Sequence, residues 1–153
     1  MDLRVSVLDR APTGSNELPD RAVFAHVDGV VVESIRLALA LDDQHVYVGV
    51  AKPDERLFLC LESTASAGSS IGPRTALVTH GALIQGCTHE SGFTTVGIVA
   101  DAVTAVRVGD VEAVLGSNVF LAETATADQV FVTSADGERA VITPDVLRHW
   151  RNV

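Results

Sequence analysis

The chain has 153 residues, 47% of them apolar and 20% charged, with a formal net charge of −9. That length and apolar content suit one domain with a sizeable core and exclude a chain disordered throughout. The charge argues against nucleic acid, whose phosphates need clustered Lys and Arg, and against anionic membrane surfaces.

The one lysine, Lys52, and the ten arginines are scattered along the chain. No window approaches the ~18–20 continuous apolar residues of a membrane span, so no direct span is expected. The N-terminus "MDLRVSVLDRAP" has no basic region followed by an apolar one and does not read as a signal peptide. The protein is then either cytoplasmic or exported by a segment upstream of these residues.

In chain order, residues 1–153 read as a single β domain. Residues 1–34 form an N-terminal arm, with Leu3, Val5 and Val7 alternating with Arg4 and Ser6 as a short strand over 3–8. "DRAPTGSNELPD" follows as a loop, and residues 21–32 are ambiguous because Gly29 interrupts a β-branched run. Residues 35–63 form a meander. Leu37, Leu39 and Leu41 share one face; Val46, Val48 and Val50 alternate with Tyr47, Gly49 and Ala51; Leu57, Leu59 and Leu61 alternate with Phe58, Cys60 and Glu62. Period two in three successive runs, with polar turns at "DDQH" and "KPDE", specifies antiparallel strands with a buried Leu/Val face.

Residues 64–93 read as a crossover. "STASAGSSIGPR" is a loop, and "TALVTHGALIQGC" is a strand, a broken helix or one of each. Residues 94–143 return to hairpins. A turn at Gly109-Asp110 sets Val108 opposite Val111, Arg107 opposite Glu112 and Val106 opposite Ala113. "GSN" turns the chain at 116–118. A third hairpin folds at Asp136-Gly137 and sets Val132 opposite Val141 and Phe131 opposite Ile142. Residues 144–151 suit a short helix, with Thr143 as N-cap and Pro144 at N1, held by docking of Val146, Leu147 or Trp150. The fold class expected is all-β: a two-layer antiparallel sandwich or open barrel built from hairpins, with a short C-terminal helix.

The residues with chemistry to offer begin with two cysteines. A disulfide between Cys60 and Cys87 would pin the meander to the crossover and stabilise by roughly 3–4 kcal/mol in the chain-entropy model. Otherwise they are buried thiols acting as small hydrophobes. His80, Cys87 and His89 lie within ten residues, beside Glu90. With Cys60 they would make four zinc donors, although the spacing matches no standard zinc pattern and no metal is assigned. Cys87 with His80 or His89 as base is the nucleophilic variant, without a catalytic-turn motif around it. His26 and His45 read as surface or hydrogen-bonded histidines, and His149 as a helix-end residue. No phosphate-cradling glycine motif and no nucleophile elbow are present, so no cofactor is expected. "DDQ" and "SADGE" fit β-turns better than calcium loops. Aromatics at 5% are too sparse for a stacking platform.

The order "VSVLDRAPTGSNELPD", "ESIRLALALDDQHVYVGVAKPDERLFLCLES", "GC" at 86–87, "TTVGIVADAVTAVRVGDVEAVLGSNVFLAE" and "SADGERAV" resembles a group of uncharacterised actinobacterial proteins. These are small β domains carried outside the membrane behind an N-terminal anchor. Where that group reads Pro-Asp-Gly, this chain has Ala100-Asp101-Ala102. The resemblance implies a fold class and an extracytoplasmic or cell-envelope location, and nothing catalytic. The function expected is therefore a non-enzymatic interaction or envelope-associated domain with a protein partner. A small zinc-dependent hydrolase using His80, Cys87 and His89 is the enzymatic alternative. Assembly of subunits through a strand edge is the structural one.

Overall fold

A computed structural model describes residues 4–9, 29–63, 67–90, 92–126 and 128–141. The meander forms as expected. β1 (Arg36–Leu41), β2 (Gln44–Ala51) and β3 (Arg56–Glu62) are antiparallel, and β2 and β3 pair without a break from His45↔Glu62 to Ala51↔Arg56. Alternation then sorts the side chains. Val46, Val48, Leu57, Leu59 and Leu61 enter one core, and Tyr47, Phe58 and Cys60 enter a smaller one on the opposite face. That second face is covered by the chain leading into β1. Val30 bridges to Ala51, Val31 N–H donates to the Val50 carbonyl (3.0 Å), and Ile35 packs beside Tyr47.

β1 departs from the expected single Leu face. A bulge at Ala38 lies between Leu37, opposite Tyr47, and Leu39, opposite Val46. One extra residue reverses the alternation, so Leu37 joins the outer core while Leu39 and Leu41 join the main one.

The stretch read as a loop, "STASAGSSIGPR", contains a strand. β4 (Ala67–Gly72) pairs with β3 from Glu62↔Ala67 to Leu57↔Gly72 and completes a four-stranded sheet. Its small residues hide the apolar alternation of a strand but serve packing. A Cβ on Gly68 would stand 2.7 Å from Gln85 Nε2, and one on Gly72 would run into Leu83 Cδ1. Glycine there lets the next sheet approach closely.

"TALVTHGALIQGC" becomes one of each element: a helical turn, α1 (Ala76–Thr79), and β5 (Leu83–His89). β5 opens the second sheet, with order β5-β6-β10-β9 and with β6 (Gly92–Ile98), β9 (Val114–Gly116) and β10 (Val119–Thr124). The third sheet has order β12-β11-β7-β8, from β7 (Ala105–Val108), β8 (Val111–Glu112), β11 (Val130–Ser134) and β12 (Gly137–Ala140).

The β7–β8 register is the expected one, with Arg107↔Glu112 and Val108↔Val111, and Ala113 N–H reaches the Val106 carbonyl (2.9 Å). The Arg107 guanidinium makes its ion pair with Glu138 of β12 (3.1 Å), lying over the Phe131 ring (4.1 Å to its centroid). The β11–β12 register differs from expectation. Phe131 faces Ala140, and Val132 faces Arg139 rather than Val141. Ala135 and Asp136 make the turn, and Gly137 supplies its positive φ (108°) one step later than a turn centred on Asp136-Gly137 requires. The shift is two residues, so each side chain keeps its face.

The architecture is all-β and fits a sandwich of packed antiparallel sheets, three of them among the described residues, and none closes into a barrel. The second sheet lies in the middle. Its Val96, Ile98, Val119 and Leu121 pack against the first sheet, and its Ile84, Phe93, Phe120 and Ala122 against the third. The N-terminal arm also differs. Ser6–Asp9 is a 3-10 turn instead of part of a strand, because the Ser6 and Val7 N–H groups are taken by side chains of Asp101 and Asn118 (2.9 Å each). Val5 and Val7 still enter the main core. The expected helix over 144–151, with Trp150, lies outside the described residues, as do residues 10–28 with His26. No helix among the described residues is long and apolar enough to cross a membrane, which says nothing of strands.

Candidate functional site

The Cys60–Cys87 disulfide is not present: Cys60 is a buried free thiol. Its position explains this. Gly68 and Gly72, which β5 packs against, face the same way as their partners Leu61 and Leu57, toward the main core. Cys60 alternates with those leucines and enters the outer core, on the far side of the first sheet from β5. Burial, and secondarily the nearby Glu62 charge, push its pKa up to about 12. A thiol in that environment is not a nucleophile near neutrality. Iodoacetamide at pH 8 is therefore expected to leave Cys60 unmodified in the folded protein and to alkylate it fully in denaturant. Peptide mass spectrometry reads both states, and rapid native labelling of Cys60 would contradict the assignment.

Of the zinc set Cys60, His80, Cys87 and His89, the side chains of Cys87 and His89 lie outside the described residues. Among the described residues, no group of three or more His, Cys, Asp and Glu side chains is placed to hold a metal ion. In the chain Cys87 and His89 belong to β5, and His80 is the C-terminal cap of α1. His45 stacks on Tyr47, ring centroids 6.4 Å apart.

Of the candidate zinc donors, His80 lines a cavity. The cavity arises where β4 stops. Pro73 has no N–H to continue the ladder, and its carbonyl instead accepts Ala76 N–H (3.0 Å). The Thr75 carbonyl accepts Thr79 N–H (2.9 Å) and the Ala76 carbonyl accepts His80 N–H (2.9 Å), so a single helical turn forms. Gly81, at φ +89°, then redirects the chain into β5. One turn is too short to hold itself. It is fixed by Leu77 in the main core and by Arg139 of β12, whose Nη2 donates to the Val78 and Thr79 carbonyls (2.8 and 2.9 Å).

Between this turn, the end of β4 and the start of β5 lies a cavity of about 410 Å³. Ile71, Pro73, Ala76, Ala82, Leu83 and Ile84 make its wall largely apolar, with Thr75, Thr79 and His80 as the polar side chains lining it. His80 is half-buried, yet its Nδ1 is shut away from solvent and has no hydrogen-bond partner. Sequence reasoning had His80 on its list for another purpose. The cavity itself was hidden, because its walls come from a stretch read as a loop and a stretch of ambiguous structure.

A second polar centre escaped notice altogether. Asn118 sits in the Ser117-Asn118 turn, both residues at positive φ (54° and 68°). Its Oδ1 accepts Val7 N–H (2.9 Å), and its Nδ2 donates to the Val99 carbonyl (3.1 Å) and to Asp101 Oδ1 (2.7 Å). Asp101 also accepts Ser6 N–H (2.9 Å) and faces Arg4 (3.7 Å). Desolvation alone would raise the Asp101 pKa, but the Ser6 and Asn118 hydrogen bonds and the Arg4 charge together hold it below the ordinary value. The asparagine in "GSN" carried this signal only as a turn residue. This network ties the arm to the body and satisfies its own members, so it is structural.

Fold and site together define an all-β protein, with three antiparallel sheets among the described residues and a mainly apolar cavity at the junction of the first two. Comparison with protein-family models, curated proteins and solved structures gives no match.

Proposed function

We propose that the chain is a non-enzymatic binding domain, carried at the cell envelope, that takes a small apolar ligand in the cavity beside α1. The observation that carries the reading is the cavity's combination of size, wall and rigidity. About 410 Å³ falls in the range of small-molecule sites, which are mostly apolar with a few polar groups to orient the ligand. The wall is clamped from both sides by Leu77 and Arg139. The envelope location rests on the resemblance to anchored actinobacterial domains. Titration of the protein with toluene, followed by methyl NMR, is expected to shift the Ile71, Leu83 and Ile84 signals together, with saturation. Shifts spread over unrelated methyls, or none, would reject the cavity as the ligand site.

Assembly through a strand edge has one observation in its favour. Val111 and Val114 are 40% and 44% exposed and lie on β8 and β9, the last strands of the third and second sheets. Light scattering that finds a monomer at high concentration removes that reading.

A further inference from the structure

We propose that a second copy of this chain pairs with the outer edge of β1, antiparallel about a two-fold axis at Ala40. This deepens the strand-edge reading, on which it rests, and is independent of the cavity.

Among the described residues β1 ends the first sheet, with β2 on one side and no strand on the other. A two-residue turn, Asp42-Asp43, joins the two strands and sets Leu41 opposite Gln44. Residues that close such a turn exchange hydrogen bonds, and alternation then points the Ala40 N–H and C=O away from β2. Those groups are a template for another strand, and native edges are guarded by charge or irregularity. The bulge at Ala38 guards only the first half of β1, and Leu39, Ala40 and Leu41 carry no charge. By contrast, β12 carries Glu138 and Arg139, β8 is two residues long with Glu112, and β9 is three residues long.

Symmetry and charge select a copy of the chain as the occupant. Leu39-Ala40-Leu41 reads the same in both directions, the self-complementarity that a two-fold contact needs. With Ala40 opposite Ala40 of the copy, each Leu39 meets a Leu41. Both leucines lie on the main-core side, so the four of them share one face. β4 (AGSSIG) and β5 (LIQGCTH) carry no Asp, Glu, Lys or Arg either, but a copy laid antiparallel on them sets unlike residues opposite. A chain of net charge −9 repels its copy over most of its surface. Here the contact itself is uncharged, and Asp42 falls opposite Ala38 of the copy, away from the copy's own Asp42.

Val114 adds apolar surface beside this edge. It stands opposite Leu121 of the main core, on the side turned to the first sheet, and is exposed. On the same strand a Cβ at Gly116 would stand 3.9 Å from Leu39 Cδ1, which brings β9 alongside β1. A strand added to β1 covers Val114.

Light scattering over a concentration series of the full chain, with amide hydrogen exchange at Ala40, tests the pairing. One strand pair is a small interface, so the dimer is weak. The mean mass is expected to rise from one chain toward two at millimolar concentration, with Ala40 N–H exchange slowing as it rises. The Ala40 side chain is exposed, so substitution there should leave the fold intact. Ala40→Lys sets like charges directly opposite and should stay monomeric, as should Ala40→Asp. Mixed one to one, the two variants should dimerise again, because Lys then faces Asp. That recovery also shows both variants to be folded. A chain monomeric at every concentration overturns this inference and the strand-edge reading together. A dimer that persists in Ala40→Lys overturns this inference alone, as do two variants that stay monomeric when mixed.

Discussion

Gly97→Ala is expected to cost about 3 kcal/mol of stability, the upper part of the range for overpacking a closed core. Gly97 lies on β6 in the middle sheet, opposite Ile84 on one side and Phe120 on the other. A Cβ there would stand 2.6 Å from Phe120 Cζ and 2.7 Å from the Leu83 carbonyl oxygen. Neither neighbour can retreat cheaply. Phe120 is fully buried between the second and third sheets, and the carbonyl belongs to β5. The two obstacles can be separated. Phe120→Leu removes only the ring, so Gly97→Ala should cost less in that background but still more than zero, a non-additivity of the kind neighbours in contact show. Urea unfolding followed by circular dichroism measures both, with the midpoint falling at constant slope. A midpoint unchanged by Gly97→Ala would mean that the face of the middle sheet turned to the third sheet is not closely covered.

Asn118→Ala is the second large effect, expected to cost about 2–3 kcal/mol from the loss of two part-buried hydrogen bonds, to Val7 and Val99, and an exposed one to Asp101, at about 1 kcal/mol each. It leaves Val7 N–H and the Val99 carbonyl without their side-chain partner and places alanine at φ 68°. Asn118→Gly accommodates that backbone but still lacks the side chain, so it should recover only part of the loss.

The same substitution has a pH signature. Asp101 titrates below its ordinary value of 3.8 in the folded protein. A carboxyl with a lowered folded pKa adds stability that is fully present above the unfolded value. That stability is lost as pH falls through the folded one. Removing the Asn118 donor moves the folded Asp101 pKa back up, so stability should depend less steeply on pH in the acid range. Carboxyl NMR titration of Asp101 in both proteins measures the shift. An Asp101 pKa that stays unchanged in Asn118→Ala would deny the amide its part in the network.

How much of this was legible in the residues depended on contrast between neighbours. β2 and β3 were plain because Val and Leu recur there at every second position between polar turns. The β7–β8 register followed from Gly109-Asp110, with Arg107 falling opposite Glu112. β4 was not legible, since Ala67, Gly68, Ser69 and Ser70 carry no apolar period, and it forms because the edge of β3 offers a ladder and β5 needs close approach. The bulge at Ala38 leaves no local mark, because either neighbouring leucine is apolar enough for either core. Cys60 was misjudged for a related reason. Its alternation with Leu59 and Leu61 already set it on the other face, but only one face had been taken as buried. The cavity depends on all of these at once: where β4 ends, that one helical turn follows Pro73, and that Arg139 reaches across from β12. None of that is local.

The account stands on a preformed apolar cavity beside α1, and xenon is its simplest probe, because empty apolar cavities take it up where polar ones do not. In crystals under xenon pressure, a xenon atom is expected between Pro73, Ala76 and Leu83. Xenon that binds only elsewhere, or that space filled by the chain's own residues, would contradict it.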